Sequence, residues 1–126
     1  RSYRLLVALD PENPLLNLRL GDALLRSGKG AESLAFFSRV VKSEPATEDA
    51  HVGYGTALAQ LGRWADARRI LEEGAKVDPE NGQVHYNLGE IARIEGRLGD
   101  ARRAYEAALS DPVTSARARA RLSELR

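Results

Sequence analysis

Two histidines are the side chains of this sequence best suited to metal binding or acid–base chemistry. His51 and His85 are the only histidines, and they stand 34 positions apart. A zinc site would need further ligands that converge on them, but the chain has no cysteine and no pair of histidines one helical turn apart. We therefore predict no metal site, and we expect both imidazoles to act as packing residues.

A glycine-rich stretch and scattered carboxylates are the other candidates for chemistry. The segment Gly53-Tyr54-Gly55-x-x-Leu58 superficially resembles a dinucleotide-binding fingerprint. It lacks the third glycine of that fingerprint and does not follow a strand, so we discard this interpretation. No P-loop, nucleophile elbow or HExxH pattern occurs. Because the carboxylates are spread over helix faces, we predict that the chain is not an enzyme and binds no cofactor.

The segment "ARARARL" at 116–122 concentrates arginine near the end of the chain. On a helix Arg117 and Arg121 share one side, whereas Arg119 points elsewhere. Two interpretations stay open: a solvated closing helix, or a patch that binds phosphate or acidic groups. The whole chain has a net charge of only +1, so we expect no nucleic-acid partner.

Composition limits where the protein could act and what its source could be. Apolar runs such as "LAFF" are far shorter than the ~20 residues needed to span a bilayer, so we expect no membrane insertion. The chain begins at Arg1 rather than Met, and we expect it to be part of a larger protein. Only three of its nineteen basic residues are lysine, which favours a bacterial source. The compartment stays open between cytoplasm and periplasm.

The elements that must position these residues follow a strict repeat. The motif Asp-Pro-Glu-Asn occurs at 10–13 and again at 78–81, and Pro45 lies 34 positions from the proline of each copy. Two sets of glycines keep the same spacing. They are Gly21, Gly55 and Gly89, and Gly28, Gly62 and Gly96. A period of this length indicates a stack of similar supersecondary units.

Each period has the apolar spacing of two helices, separated by a glycine turn and ended by a proline. We predict helices near 14–27, 30–43, 48–61, 64–77, 82–95 and 98–110, with a further helix in residues 1–10 and a closing helix at 113–125. No strand pattern competes, so the predicted fold class is all-α. Asn13 before Pro14 predicts a capped helix start.

Glycines inside the first helices need a geometric cause, because glycine there costs about 1 kcal/mol relative to alanine. Small residues of the second helices keep the same period: Ser33, Ala67 and Ala101. We expect the paired helices to approach closely where these two sets of small residues meet.

The sequence resembles the tetratricopeptide repeat family, whose pattern reads W-x₂-L-G-x₂-Y, then A-x₃-F, then P over about 34 residues. The three copies here carry Leu20-Gly21, Tyr54-Gly55 and Leu88-Gly89, followed by Phe37, Leu71 and Tyr105, and by Pro45, Pro79 and Pro112. The tryptophan of the pattern is replaced by Asn17, His51 and His85. A pentatricopeptide array is the alternative, and the glycine and proline positions favour the tetratricopeptide form.

The resemblance implies a right-handed superhelical solenoid of antiparallel helix pairs. It divides a single domain, 1–126, into a half repeat at 1–13, full repeats at 14–47, 48–81 and 82–112, and a closing helix at 113–126.

It also implies a protein or peptide partner bound in a concave groove that the first helix of each pair lines. Carried over by position, the groove residues are Leu15, Leu18, Arg19, Asp22, Arg26, Asp49, Val52, Thr56, Gln60, Gln83, Tyr86, Asn87, Glu90 and Arg93. Tyr86 is the expected aromatic anchor. Asn87 matches one asparagine of the family's carboxylate clamp, but Gly53 replaces another and the groove has no lysine, so we do not predict binding of chaperone tails.

Two further possibilities stay open. The chain could instead be a regulatory or substrate-positioning appendage of a larger bacterial enzyme, such as a transferase or sulfatase. In addition, residues 1–10 would form a second helix without its own first helix. Its apolar side chains, such as Leu6 and Leu9, could support end-to-end self-association.

Overall fold

A computed structural model describes residues 2–44 and 48–125 of the chain, and over these residues it contains eight α-helices and no strand. The helices are α1 (Ser2–Leu9), α2 (Pro14–Arg26), α3 (Gly30–Ser43), α4 (Glu48–Gln60), α5 (Trp64–Val77), α6 (Gly82–Ile94), α7 (Leu98–Ala108) and α8 (Ser115–Glu124). Every predicted helix is present, and its ends lie close to the predicted ones. Pro45, the predicted stop of the first full repeat, lies outside the described residues.

Asparagine caps begin two of the first helices, as predicted for Asn13. The Asn13 side chain accepts a hydrogen bond from the Leu16 amide at 3.2 Å. The Asn81 side chain accepts bonds from the amides of Gln83 and Val84 at 2.9 and 3.2 Å. The repeated Asp-Pro-Glu-Asn motif is therefore the signal that ends one helix pair and starts the next.

Three glycine turns fold each first helix back on its second helix. Gly28, Gly62 and Gly96 have φ of +77°, +75° and +79°, a left-handed conformation that other residues rarely adopt. After each glycine, the next amide donates to the carbonyl five residues before it, which closes a Schellman motif. These bonds join Lys29 to Leu24, Arg63 to Leu58 and Arg97 to Ala92 at 2.8, 2.9 and 2.8 Å.

The helices pack as consecutive antiparallel pairs: α2 with α3, α4 with α5, and α6 with α7. The second helix of each pair also contacts the first helix of the next, and α4 contacts both α2 and α6. The core is divided into clusters, and the central one is built around Leu58, Ile70, Leu71, Val84 and Ile91. The predicted all-α solenoid of helix pairs is confirmed.

The atoms nearest to a Cβ added at each of these helical glycines belong to large side chains, and not to the small residues where we expected the closest approach. A Cβ added at Gly55 would lie 2.6 Å from Cγ of Leu71, and one at Gly89 would lie 2.7 Å from the Tyr105 ring. At Gly21 the Phe37 ring would lie 3.0 Å away. Ser33, Ala67 and Ala101 are fully buried, but the closest contact is made one helical turn further along the second helix. The absence of a side chain at each glycine therefore leaves space for the large side chain of the paired helix.

Helix α1 leaves apolar side chains exposed to water. Val7 of α1 is buried with Leu20 and Leu24 of α2. On other sides of α1, Leu5, Leu6 and Leu9 are 65%, 43% and 77% exposed. None of the helices, as far as the structure describes them, is both long and apolar enough to cross a membrane.

We predict that the same substitution destabilises the fold at one helical glycine and not at another. Gly55→Ala should lower the free energy of unfolding by about 1–3 kcal/mol, because its methyl group overlaps Leu71. Gly99→Ala is the matched control, since its nearest neighbour is an Arg103 nitrogen at 4.0 Å. It should be neutral or stabilising by up to about 1 kcal/mol. Urea titration followed by circular dichroism measures both, and equal effects would contradict the assigned packing.

Candidate functional site

An apolar pocket of about 320 Å³ opens between the first helices α4 and α6. Leu71 and Ile91 close its base and are almost completely buried. Trp64, the first residue of α5, forms a half-buried wall, and Ile94, the last residue of α6, is 52% exposed at the edge. A large apolar side chain that remains half in water next to an apolar hollow is suited to binding another apolar group.

Polar side chains form the rim of this pocket. Thr56 and Gln60 come from α4, and Asn87 and Glu90 come from α6. The Asn87 amide donates to the Thr56 hydroxyl at 3.4 Å and so connects the two helices across the pocket. Gln60 is exposed. An apolar base with a few amides and hydroxyls at its rim is the usual composition of a ligand pocket in proteins.

A second pocket, of about 360 Å³, lies where α1, α2 and α4 meet, and it is polar. Its charged residues are Arg19, Asp22 and Arg26 of α2 and Asp49 of α4. Burial raises the pKa of the Asp22 carboxyl above its usual value; the Arg26 charge opposes this rise, and the Asp49 charge adds to it. Asp22 is half-buried, whereas the other three charged groups are exposed.

Glu90 is the centre of a polar cluster that joins three helices. Its carboxylate accepts bonds from the Tyr105 hydroxyl of α7 at 2.5 Å and from Nε and Nη2 of Arg121 of α8 at 2.9 and 3.2 Å. Arg93, one turn along α6, donates at 3.3 Å. Burial by itself raises the pKa of Glu90, but the bonds from Tyr105, Arg93 and Arg121 outweigh it, so the pKa lies below its ordinary value.

The arginines of α8 hold that helix against α6. Arg117 lies over the Tyr86 ring, 4.8 Å from its centroid, and donates to Gln83 at 2.8 Å. Arg121 bonds Glu90, whereas Arg119 makes no hydrogen bond or ion pair with the described residues. As predicted, Arg117 and Arg121 act on one side of the helix and Arg119 does not. Arg117 and Arg121 already have protein partners, which favours the closing-helix interpretation over a free anion patch.

The histidines occupy structural positions. His51 is 2% exposed, and Nε2 of His85 donates to the Pro79 carbonyl at 2.7 Å. Across residues 2–44 and 48–125, no group of three or more potential metal-ligating side chains comes together.

The predicted groove residues are divided between the two pockets and their surroundings. Leu15, Leu18, Arg19, Asp22, Arg26 and Asp49 line the polar pocket, and Thr56, Gln60, Asn87 and Glu90 line the apolar one. The others do not line either pocket. Val52 packs on the central core, Tyr86 packs on the Tyr105 cluster, Gln83 bonds Asn87, and Arg93 pairs with Glu90.

Sequence reasoning missed the apolar part of the pocket. A signal was present, because Asn87, Ile91 and Ile94 follow the spacing that keeps residues on one helical face. Tyr86, the expected aromatic anchor, is already engaged within the protein: its ring centroid lies 5.6 Å from that of Tyr105, and Arg117 lies over its face. Trp64, which lines the apolar pocket, is the aromatic side chain available to a ligand there.

We predict that Glu90→Gln destabilises the C-terminal end in a pH-dependent way. The substitution removes ion pairs to Arg93 and Arg121 and should cost about 1–3 kcal/mol at neutral pH. Because the folded pKa of Glu90 is lowered, its contribution is present above the unfolded pKa of about 4.3 and is lost as pH falls through the folded value. The thermal midpoints of the parent and of Glu90→Gln should therefore become equal in acid. A constant difference from pH 7 to pH 3 would contradict this role.

Comparison with known proteins identifies the repeat. The family model described as Tetratricopeptide repeat matches residues 1–51 and 52–120. No curated protein sequence matches the chain.

Solved structures share the fold at low sequence identity. MamA superposes with a TM-score of 0.91 at 21% identity, over 99% of this chain and 73% of that one. SycD, the type III secretion translocator chaperone of Yersinia enterocolitica, gives 0.84 at 19%, over 89% and 90%. YrrB, a TPR protein with an unusual peptide-binding site, gives 0.83 at 16%, over 99% and 64%. Together with the match of the family model to nearly every residue, the pairing of helices around the repeated glycines leads to one conclusion: the chain belongs to the tetratricopeptide repeat family.

Proposed function

We propose that this chain is a protein-interaction module that binds a peptide in the groove formed by its first helices. The observation that carries the proposal is the apolar pocket over Trp64, whose edge residue Ile94 is 52% exposed. A leucine-sized side chain that fills the pocket would remove itself and part of Ile94 from water. Burial of such a side chain contributes about 1.5–3 kcal/mol.

The rim supports a peptide rather than a purely apolar ligand. The amides of Gln60 and Asn87 can donate to and accept from a peptide backbone that crosses the pocket, which would orient it. The pocket volume of about 320 Å³ is at the small end of ligand sites, and suits one anchoring side chain better than a large cofactor. YrrB, which shares the fold, has a peptide-binding site, and this supports the same use here.

We also propose that α1 mediates weak self-association. Leu5, Leu6, Leu9 and Leu15 are between 43% and 77% exposed, and all lie near the beginning of the chain. Three or four leucines provide much less than the roughly 800 Å² per partner of a stable interface, so the dissociation constant should lie in the high micromolar range or above. A dimer of SycD, which has a similar fold, supports this proposal.

Peptide binding can be followed through Trp64, the chain's one tryptophan. Peptides selected from a random phage-displayed library on the purified protein should shift its emission to shorter wavelength as they cover the indole. Ile94→Glu puts a charge at the pocket edge and should weaken binding at least about tenfold.

Val113→Glu is the matched control, because Val113 is 76% exposed in the turn before α8 and lines neither pocket. It should leave both the emission shift and the affinity unchanged. Selected peptides that bind Ile94→Glu as tightly as the parent, without changing Trp64 emission, would refute binding in this pocket.

Self-association can be measured by sedimentation velocity over a range of concentration. The parent should sediment faster as its concentration rises from micromolar to millimolar, and the double variant Leu5→Ser, Leu9→Ser should not, because the exposed apolar surface of α1 is reduced. Leu98→Ser, at a leucine that is 48% exposed on α7, controls for a general change in apolar surface. A parent that stays monomeric at millimolar concentration would rule the proposal out.

A further inference from the structure

A polar pairing recurs between neighbouring first helices when the closing helix α8 is counted as the one that follows α6, and the two residues are 31 positions apart in both instances. Between α4 and α6, Thr56 accepts a hydrogen bond from Asn87. Between α6 and α8, Glu90 accepts two bonds from Arg121. In both cases an oxygen acceptor in the middle of one first helix meets a nitrogen donor from the next.

The same register between α2 and α4 has an acceptor without a donor. Asp22 is the equivalent of Thr56 one repeat earlier and of Glu90 two repeats earlier, and the residue 31 positions after Asp22 is Gly53. A side chain cannot be added there without movement, because a Cβ at Gly53 would overlap the Phe37 ring at less than 3.0 Å. The Phe37 ring of α3 therefore leaves the groove between α2 and α4 without a donor like those found between α4 and α6 and between α6 and α8.

The described part of the chain offers Asp22 no substitute donor. Among the described residues its carboxylate has no hydrogen bond and no ion pair. Asp49, on the neighbouring helix, adds a second negative charge to the same pocket. Arg26, one turn along α2, offsets part of this cost through its charge, but it makes no hydrogen bond or ion pair with Asp22. A half-buried carboxylate in this position has therefore lost part of its hydration without gaining a direct donor, which is unfavourable until a cation arrives.

Arg19 and Arg26 line the same pocket and make its total charge zero, so the choice between a cationic and an anionic ligand depends on burial. Both arginines are exposed and keep their hydration, whereas Asp22 is half-buried on the helix face that turns toward α4. A ligand cation that reaches Asp22 pairs with a carboxylate that burial has already stripped of part of its hydration, so little further water has to be displaced. A ligand anion that reaches either arginine must displace water from a solvated group, and gains less.

We propose that the bound peptide supplies the missing donor: a Lys or Arg of the partner pairs with Asp22 while an apolar residue of the same extended segment fills the pocket over Trp64. The proposal rests on the peptide-binding function proposed above. Since Asp22 is the repeat equivalent of Thr56 on the rim of the apolar pocket, the two subsites are one helix-to-helix step apart. That step is about 8–10 Å, which corresponds to about three residues of extended chain. The preferred ligand therefore has a basic residue about three positions from an apolar anchor.

Peptide selection tests this pattern directly. A random phage-displayed library is selected in parallel on the parent protein and on Asp22→Asn, Asp22→Arg and Glu106→Gln. The last variant removes an equal charge from an exposed position of the second helix α7 and serves as the control. Parent and control should enrich Lys or Arg about three positions from the anchor, Asp22→Asn should lose that enrichment, and Asp22→Arg should enrich Asp or Glu instead. In a selected peptide, exchange of the basic residue for Gln should weaken binding to the parent about fivefold.

The outcomes separate this inference from the function on which it rests. Peptides whose binding is lost in Ile94→Glu, but whose sequences are the same on the parent and on Asp22→Asn, would overturn the inference and leave the groove function standing. Enrichment of acidic residues on the parent would also overturn it and assign the pocket to Arg19 and Arg26. If no selected peptide binds the parent more tightly than it binds Ile94→Glu, the proposed function fails and the inference fails with it.

A stability measurement guards against a structural role for Asp22. Since burial raises the pKa of this carboxyl, its ionised form opposes folding at neutral pH, and Asp22→Asn should keep or raise the thermal midpoint. A lowered midpoint would show that the carboxylate has a partner within the protein and would count against the inference.

Discussion

The close contact between a helical glycine and a large side chain of the paired helix is the constraint on which the rest of this structure depends. At Gly55 the backbone of α4 approaches Leu71 so closely that a methyl group would overlap it. The same contact recurs one repeat later at Gly89 and Tyr105. Because these contacts set the spacing within each pair, they also set how far apart successive first helices lie, and hence the width of the groove between them.

Variation in that one large side chain changes the groove at each step. Phe37 occupies the space of a groove residue and requires glycine at position 53, which leaves Asp22 unpaired. Leu71 is shorter and forms the base of an open apolar pocket. The Tyr105 hydroxyl donates to Glu90, which also binds Arg121 of α8, so Tyr105 helps to hold α8 against α6. The identity of one buried side chain thus decides the character of the groove between successive first helices. The groove is polar and unfilled between α2 and α4, apolar and open between α4 and α6, and closed by ion pairs between α6 and α8.

The sequence allowed the fold to be predicted more completely than the site. The helices follow from the repeat period and from local signals such as Asn81 and Gly62, which act within a few residues of the chain. The groove depends on contacts between side chains about one repeat apart. Nothing in the local sequence says that Arg117 covers Tyr86, or that Ile94 at the end of α6 stays half in water, because the distance between neighbouring helices decides both. Ten of the fourteen predicted groove residues line one of the two pockets, since the register of the repeat is enough to place them on the first helices.

The restriction of packing to near neighbours also bears on how the chain acquires its structure. In the described part of the chain, each helix packs mainly against the helices before and after it, and the longer contacts reach no further than the next helix but one, as between α2 and α4, α4 and α6, and α6 and α8. Little loop entropy must be lost before such contacts form, so folding should be fast and can begin at any repeat. On the ribosome, each helix pair would find its packing partners as soon as the following helix emerged, well before synthesis of the chain was complete.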